Sequence, residues 1–256
     1  MQAGLNLFSI KNLISTEKDF IETALKLKEM GYSFAQFSGV PYDYEMIGRV
    51  VKETGLPIVL THVPYNMIIE NPEKLLEEHL TFGCKYIGLG AMPGSVMETD
   101  EKWCKAIDTL NGAAEKIQKA GGKFFYHHHQ FEFYRMENGQ TIFDYMINNA
   151  PSINFTLDSY WLQYGGVNPE TFANSIKGRI GCVHLKDYMI KTDDKTKYEF
   201  TPIYAPVGSG NLNIKAIVDS CKAAGTEYFL VEQDNASQLP DTIEQVKKSI
   251  DYLKTI

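Results

Sequence analysis

Residues 154–187 read NFTLDSYWLQYGGVNPETFANSIKGRIGCVHLKD. A short apolar run (NFTLD, 154–158) is followed by a helical stretch that opens on Asn-Pro-Glu and closes on Gly (NPETFANSIKG, 168–178). A second apolar run follows it (IGCVHLK, 180–186). Asn-Pro-Glu is helix-start chemistry and a closing glycine is stop chemistry. Short apolar runs between such signals have strand length, so the segment reads strand, helix, strand. A crossover of this kind joins parallel strands with a right-handed turn.

The same unit recurs from one end of the chain to the other. The other strand-like runs are GLNLFS (4–9), FAQFS (34–38), PIVLTHV (57–63), YIGLG (86–90), KFFYHHH (123–129) and EYFLVEQ (227–233). Between them lie amphipathic stretches such as TEKDFIETALKLKEMG, where Phe20, Ala24, Leu25 and Leu27 form a stripe and Gly31 ends it. Eight strand–helix units in unbroken alternation predict an α/β fold, a (β/α)8 TIM barrel occupying residues 1–256 as a single domain. An open doubly wound sheet is the competing architecture. The first strand lacks the GxGxxG that a dinucleotide-binding version would carry.

Composition narrows the function. The chain has 256 residues, 44% hydrophobic and 22% charged, which is ordinary for a globular enzyme. Its 32 acidic residues outnumber 25 basic ones, for a net charge of −7, which argues against a nucleic-acid partner. Cys84, Cys104, Cys182 and Cys221 are scattered without metal or disulfide spacing, as expected of thiols in a reducing compartment. No apolar run approaches the roughly 20 residues of a membrane span. The expectation is a cytoplasmic protein without membrane association.

In a closed barrel the C-terminal tips of the strands converge on one mouth. The third strand brings His62 there, the fifth brings His127, His128 and His129, and Glu132 follows at once. The sixth ends on Asp158, the seventh supplies His184 and Lys186, and the eighth supplies Glu232. Strand alternation puts Cys182, His184 and Lys186 on one face, and likewise Thr156 with Asp158, Leu230 with Glu232, and Phe125 with His127 and His129. His128 then points elsewhere. Carboxylates and imidazoles gathered in this way are costly to bury without a cation, and the mixture suits one divalent ion: Mn, Mg, Co or Zn.

One connection is abnormally long. The 26 residues between Lys186 and Asn213, DYMIKTDDKTKYEFTPIYAPVGSGNL, show no helical period. A loop this long beside a barrel mouth is expected to be a lid or binding element. Its Pro206–Gly210 stretch is either a plain turn or a set of backbone amides open to an anion.

The ordered motifs FYHHHQFEF, LDSYWLQYGGVNP, GRIGCVHLKD and VEQD resemble the xylose isomerase-like barrel superfamily, and within it the sugar phosphate isomerase/epimerase group, whose fifth strand usually reads YHNHxFEF. The resemblance covers essentially the whole chain. His128 stands where the group commonly has Asn, a position that faces away from the mouth. The resemblance implies a metal held by Glu132, Asp158, His184 and Glu232. In related keto-sugar epimerases the first ligand lies within the strand, where this chain has His127. Glu132 is the preferred first ligand, with His127 and His129 as substrate or outer-shell groups, and direct binding by His127 is the alternative.

The implied chemistry is isomerisation or epimerisation of a sugar, sugar derivative or sugar phosphate. The metal would stabilise an enediolate while Glu132 and Glu232 move the proton. His62, His127, His129, Lys186, Arg135, Tyr160 and Trp161 are expected around the small carbohydrate, the aromatics against its C–H faces. A lyase or dehydratase acting on a keto-sugar or keto-glycoside is the alternative, because it begins with the same enolisation. Barrels of this group often pair, so a homo-oligomer is left open.

Overall fold

The computed structural model describes residues 1–192 and 200–256. Seven barrel strands come first: β1 (Gly4–Asn6), β2 (Phe34–Phe37), β3 (Ile58–His62), β4 (Tyr86–Leu89), β5 (Lys123–His127), β6 (Ile153–Asp158) and β7 (Ile180–Leu185). An antiparallel hairpin follows, β8 (Asp187–Thr192) and β9 (Phe200–Ala205), and then the eighth barrel strand, β10 (Tyr228–Val231). All eight barrel strands are parallel, and β10 pairs with both β7 and β1 to close the ring.

The outer layer is built from α1 (Glu17–Met30), α2 (Tyr44–Thr54), α3 (Tyr65–Glu70), α4 (Pro72–Thr81), α5 (Asp100–Lys119), α6 (Ile142–Asn149), α7 (Ser159–Tyr164), α8 (Pro169–Phe172), α9 (Ile214–Ala224) and α10 (Thr242–Leu253). Sequence signals set their ends. Asn168 caps α8 with proline at the first turn, and Thr141 and Asp144 form a capping box on α6. Gly31, Gly55 and Gly225 take the left-handed conformation that closes α1, α2 and α9. Among the described residues no helix is long and apolar enough to cross a membrane.

The barrel has two cores, because alternate strand residues face opposite ways. Phe34, Leu60, Phe125, Cys182 and Leu230 fill its lower interior, while Tyr126, Val183 and Leu185 face the helices. Gly181 makes room for this filling, since a Cβ there would lie 2.5 Å from the Phe125 ring. Above this plug the interior positions become polar, which sets the floor of the site.

The long connection differs from expectation. Much of it is the β8–β9 hairpin, although residues 193–199 of the quoted stretch lie outside the described residues. The Pro206–Gly210 amides also have a different role. Asp187, fully buried, accepts hydrogen bonds from the backbone N–H groups of Gly208, Gly210 and Leu212 at 3.0, 2.9 and 3.2 Å. The anion they bind is therefore a side chain of the same chain, and the turn is a clasp that returns the hairpin to the barrel.

Candidate active site

Four strands deliver four donors to one point at the mouth. Ligand atoms of His127 (β5), Asp158 (β6), His184 (β7) and Glu232 (just after β10) all lie within 4.8 Å of one another, and all four residues are buried. His127 Nε2 is 3.4 Å from Asp158 Oδ2, and His184 Nδ1 is 2.6 Å from Glu232 Oε2. The latter two atoms are close, yet neither makes an aligned hydrogen bond. A buried imidazole nitrogen and carboxylate oxygen that converge without such a bond are what a cation between them would satisfy.

The second nitrogen of each imidazole is committed elsewhere. His127 Nδ1 donates to the Gly90 carbonyl at 2.9 Å, and His184 Nε2 donates to Gln36 Oε1 at 2.7 Å. With Nε2 as its donor, His184 turns Nδ1 to the cluster as an acceptor, the arrangement usual for metal-binding histidines. His127 Nε2 lies within hydrogen-bond reach of Asp158 Oδ2; burial opposes charge on this imidazole, but the nearby carboxylates outweigh it and raise the ring above its usual range. Asp158 is divided in the same way. Its Oδ1 caps α7 by accepting from the amides of Tyr160 and Trp161, while Oδ2 faces the cluster. His128 turns away from the mouth and accepts the Asp158 backbone N–H on Nε2 at 3.1 Å. Two imidazoles and two carboxylates fit a borderline divalent ion.

Gln36 went unnoticed in the sequence, although a lone amide between apolar strand residues at an inward position is its signal. Replacing Gln36 by Leu is expected to weaken metal binding by about 10–100-fold, the usual cost of losing an outer partner. A competition titration with a chelating dye checks this, and a loss below about threefold would separate Gln36 from metal affinity.

Glu132 lies elsewhere. It sits on a turn, Phe131–Phe133, is fully buried, and accepts from Tyr126 Oη and the His129 backbone N–H, both at 2.7 Å. Tyr126 faces the helices, so Glu132 is held behind β5, opposite to His127 in the pleat. The structure thus brings His127, and not Glu132, to the four-donor cluster. Burial lifts the Glu132 carboxyl to about 7.

Lys186 enters the cluster from β7's end, almost wholly buried. Its Nζ lies 3.1 Å from Asp158 Oδ2, 3.5 Å from Glu232 Oε2 and 3.0 Å from Asp234 Oδ1. Burial opposes charge on Asp158 and Glu232, but Lys186 and the neighbouring imidazoles outweigh it and hold both carboxyls below their usual range. Burial pushes His184 and His62 down and takes His129 to about 2, so these rings are neutral and able to accept.

Through His127 and Glu232 the cluster adjoins one end of a cavity of about 780 Å³. His62, His127, His129, Lys186, Glu232 and Asp234 line that end. His62 fits because Gly88 in β4 and Gly90 just after it offer bare backbone, a Cβ on either lying 2.9 or 2.8 Å from its ring. His62 Nε2 and His129 Nδ1 are buried without a protein partner. Tyr160 and Trp161 stand behind this lining: Trp161 packs on His129 at 5.2 Å and under Lys186, and Tyr160 packs against Tyr188 and Tyr204 of the hairpin. Arg135 is exposed, bonded to the Gly139 carbonyl, and does not line the cavity.

A barrel of this topology with this constellation at its C-terminal mouth defines a class, and the sequence places the chain within it. Residues 24–256 match the family described as "Xylose isomerase-like TIM barrel", and the chain belongs to that family. A solved sugar phosphate isomerase/epimerase from Parabacteroides distasonis superposes with a TM-score of 0.79 at 24% identity, covering 100% of this chain and 98% of that one. Inosose dehydratase from Geobacillus thermodenitrificans is 25% identical over 166 residues, which is 61% of this chain and 55% of the relative. The corresponding protein from Clostridium beijerinckii is 26% identical over 173 residues, 63% of this chain and 57% of the relative. The chain thus matches little more than half the length of these curated relatives.

Proposed function

We propose that this chain is a divalent-metal-dependent lyase of keto-sugar chemistry, a dehydratase or close equivalent. It removes a proton beside a carbonyl and expels the substituent one carbon further on. The observation that carries this reading is the convergence of His127, Asp158, His184 and Glu232, two of which, His127 and Glu232, line a cavity, with both imidazoles oriented by carbonyl acceptors. A bound divalent ion supplies Lewis acidity, drawing electrons from the substrate carbonyl and acidifying the neighbouring C–H.

The chain's own groups do the rest. Glu232 lines both cluster and cavity, so one carboxylate oxygen can hold the ion while the other takes the proton. The proton that Glu232 takes from carbon returns to the departing hydroxyl, which leaves as water, while His62 Nε2 and His129 Nδ1, neither with a protein partner, meet the substrate's other hydroxyls. Lys186 balances the carboxylates with a fixed positive charge beside the developing oxyanion.

Elimination is favoured over epimerisation by the position of Glu132. Epimerisation by two carboxylates needs one on each face of the substrate, and Glu132 is committed behind β5. The likeness to inosose dehydratases supports the same choice. Incubating the Mn-loaded protein with a keto-inositol and following products by NMR tests it. Loss of water to an unsaturated or diketo product is expected; an epimer with all oxygens retained would overturn elimination in favour of the isomerase.

A further inference from the structure

We propose that the natural substrate carries an apolar substituent, aryl or alkyl, on its keto-sugar, and that the half of the cavity remote from the metal cluster receives it. This rests on the reading of the cluster end as a keto-sugar site. The barrel's order divides the cavity. The four donors come from β5, β6, β7 and β10, consecutive around the ring, whereas the remaining wall comes from the segments that follow β1 to β4.

That second wall is mostly carbon. Phe8, Val40, Pro41, Tyr42, Pro64 and Tyr65 make up much of it, with Ser38 and Asn66 as its polar side chains. The two tyrosines add little polarity, because their hydroxyls are engaged in the helix layer. Tyr42 Oη lies 3.0 Å from Nδ1 of His79, buried in α4, and Tyr65 Oη donates to the Ala106 carbonyl in α5 at 3.5 Å. A bare sugar bristles with hydroxyls, and each one pressed against such a wall would lose its hydrogen bonds to water without replacement. The sugar therefore belongs at the imidazole and carboxylate end.

A phosphate fits the far end no better. Among the described residues lining the cavity, Lys186 is the one lysine or arginine, and three carboxylates already surround it. The cavity's volume of about 780 Å³ lies within the roughly 300–1,000 Å³ of pockets that house drug-sized ligands, leaving space beyond one sugar ring. An apolar group there would gain from burial what a phosphate or a second hydroxylated ring would lose.

Calorimetric titration of the metal-loaded full chain with methyl and phenyl glucoside, which lack the carbonyl and cannot be turned over, tests the proposal. Phenyl glucoside is expected to bind at least threefold more tightly. Val40→Asp and Pro41→Asp, each in the loop after β2, are each expected to shrink that preference below threefold. A wild-type preference below threefold, a preference that survives both substitutions, or binding of neither glucoside overturns the proposal. The keto-sugar reading is judged separately, by metal-dependent deuterium exchange into a keto-sugar, so its failure is distinguishable.

Discussion

Replacing His184 by Ala, or Glu232 by Gln, is expected to strip the protein of its metal while leaving the barrel folded. The first change removes one of four converging donors and the second replaces an anionic oxygen by a neutral amide, so each loss should exceed the roughly 10–100-fold that removal of an outer partner costs. The two are informative together because His184 Nδ1 and Glu232 Oε2 lie 2.6 Å apart with no aligned bond between them. Glu132→Gln is the contrast. Its carboxylate is bonded to Tyr126 and the His129 amide, so this variant is expected to keep its metal. Elemental analysis of the purified variants, with circular dichroism for the fold, checks both statements. Full occupancy in His184→Ala and Glu232→Gln, or loss confined to Glu132→Gln, would contradict the assignment.

Asp187→Ala is expected to cost about 3 kcal/mol of stability, and its effect should be structural first. The carboxylate accepts from the amides of Gly208, Gly210 and Leu212 as well as its neighbour Tyr188, and its removal leaves four part-buried N–H groups without their acceptor. In a domain of this size that corresponds to a fall in Tm of roughly 6–12 °C. Asp187→Asn keeps one acceptor oxygen and should fall between. Thermal unfolding followed by circular dichroism reads all three proteins; a fall of under about 2 °C for the alanine variant would show that the clasp carries little of the stability.

The barrel is legible because eight strand-length runs alternate with helical stretches, several of which carry a capping residue or a closing glycine, and each is a local signal. The inward set at the mouth was legible for a related reason. Once Asp158 and His184 are placed on strands, the pleat alone decides which way they face. Glu132 escaped that logic. It follows β5 on a turn, where alternation no longer applies, and the chain carries it back to Tyr126 on the helix side. The hairpin is hard to read in the sequence because its strands lie outside the barrel and are largely exposed, β8 mixes polar with apolar residues, and Pro202 interrupts β9. The sequence leaves Pro206–Gly210 open between a plain turn and an anion-binding set of amides because nothing local reveals that Asp187, some twenty positions earlier, returns to meet them.

The most direct test of the account is solvent deuterium exchange. The protein, loaded with Mn or depleted by a chelator, is incubated with a keto-inositol in deuterated water and followed by NMR. Deuterium is expected to appear at the carbon beside the carbonyl, with loss of water, in the loaded protein, and both should vanish on depletion and return on adding metal. Exchange at equal rates with and without metal would contradict the account, as would the absence of exchange in fully loaded protein.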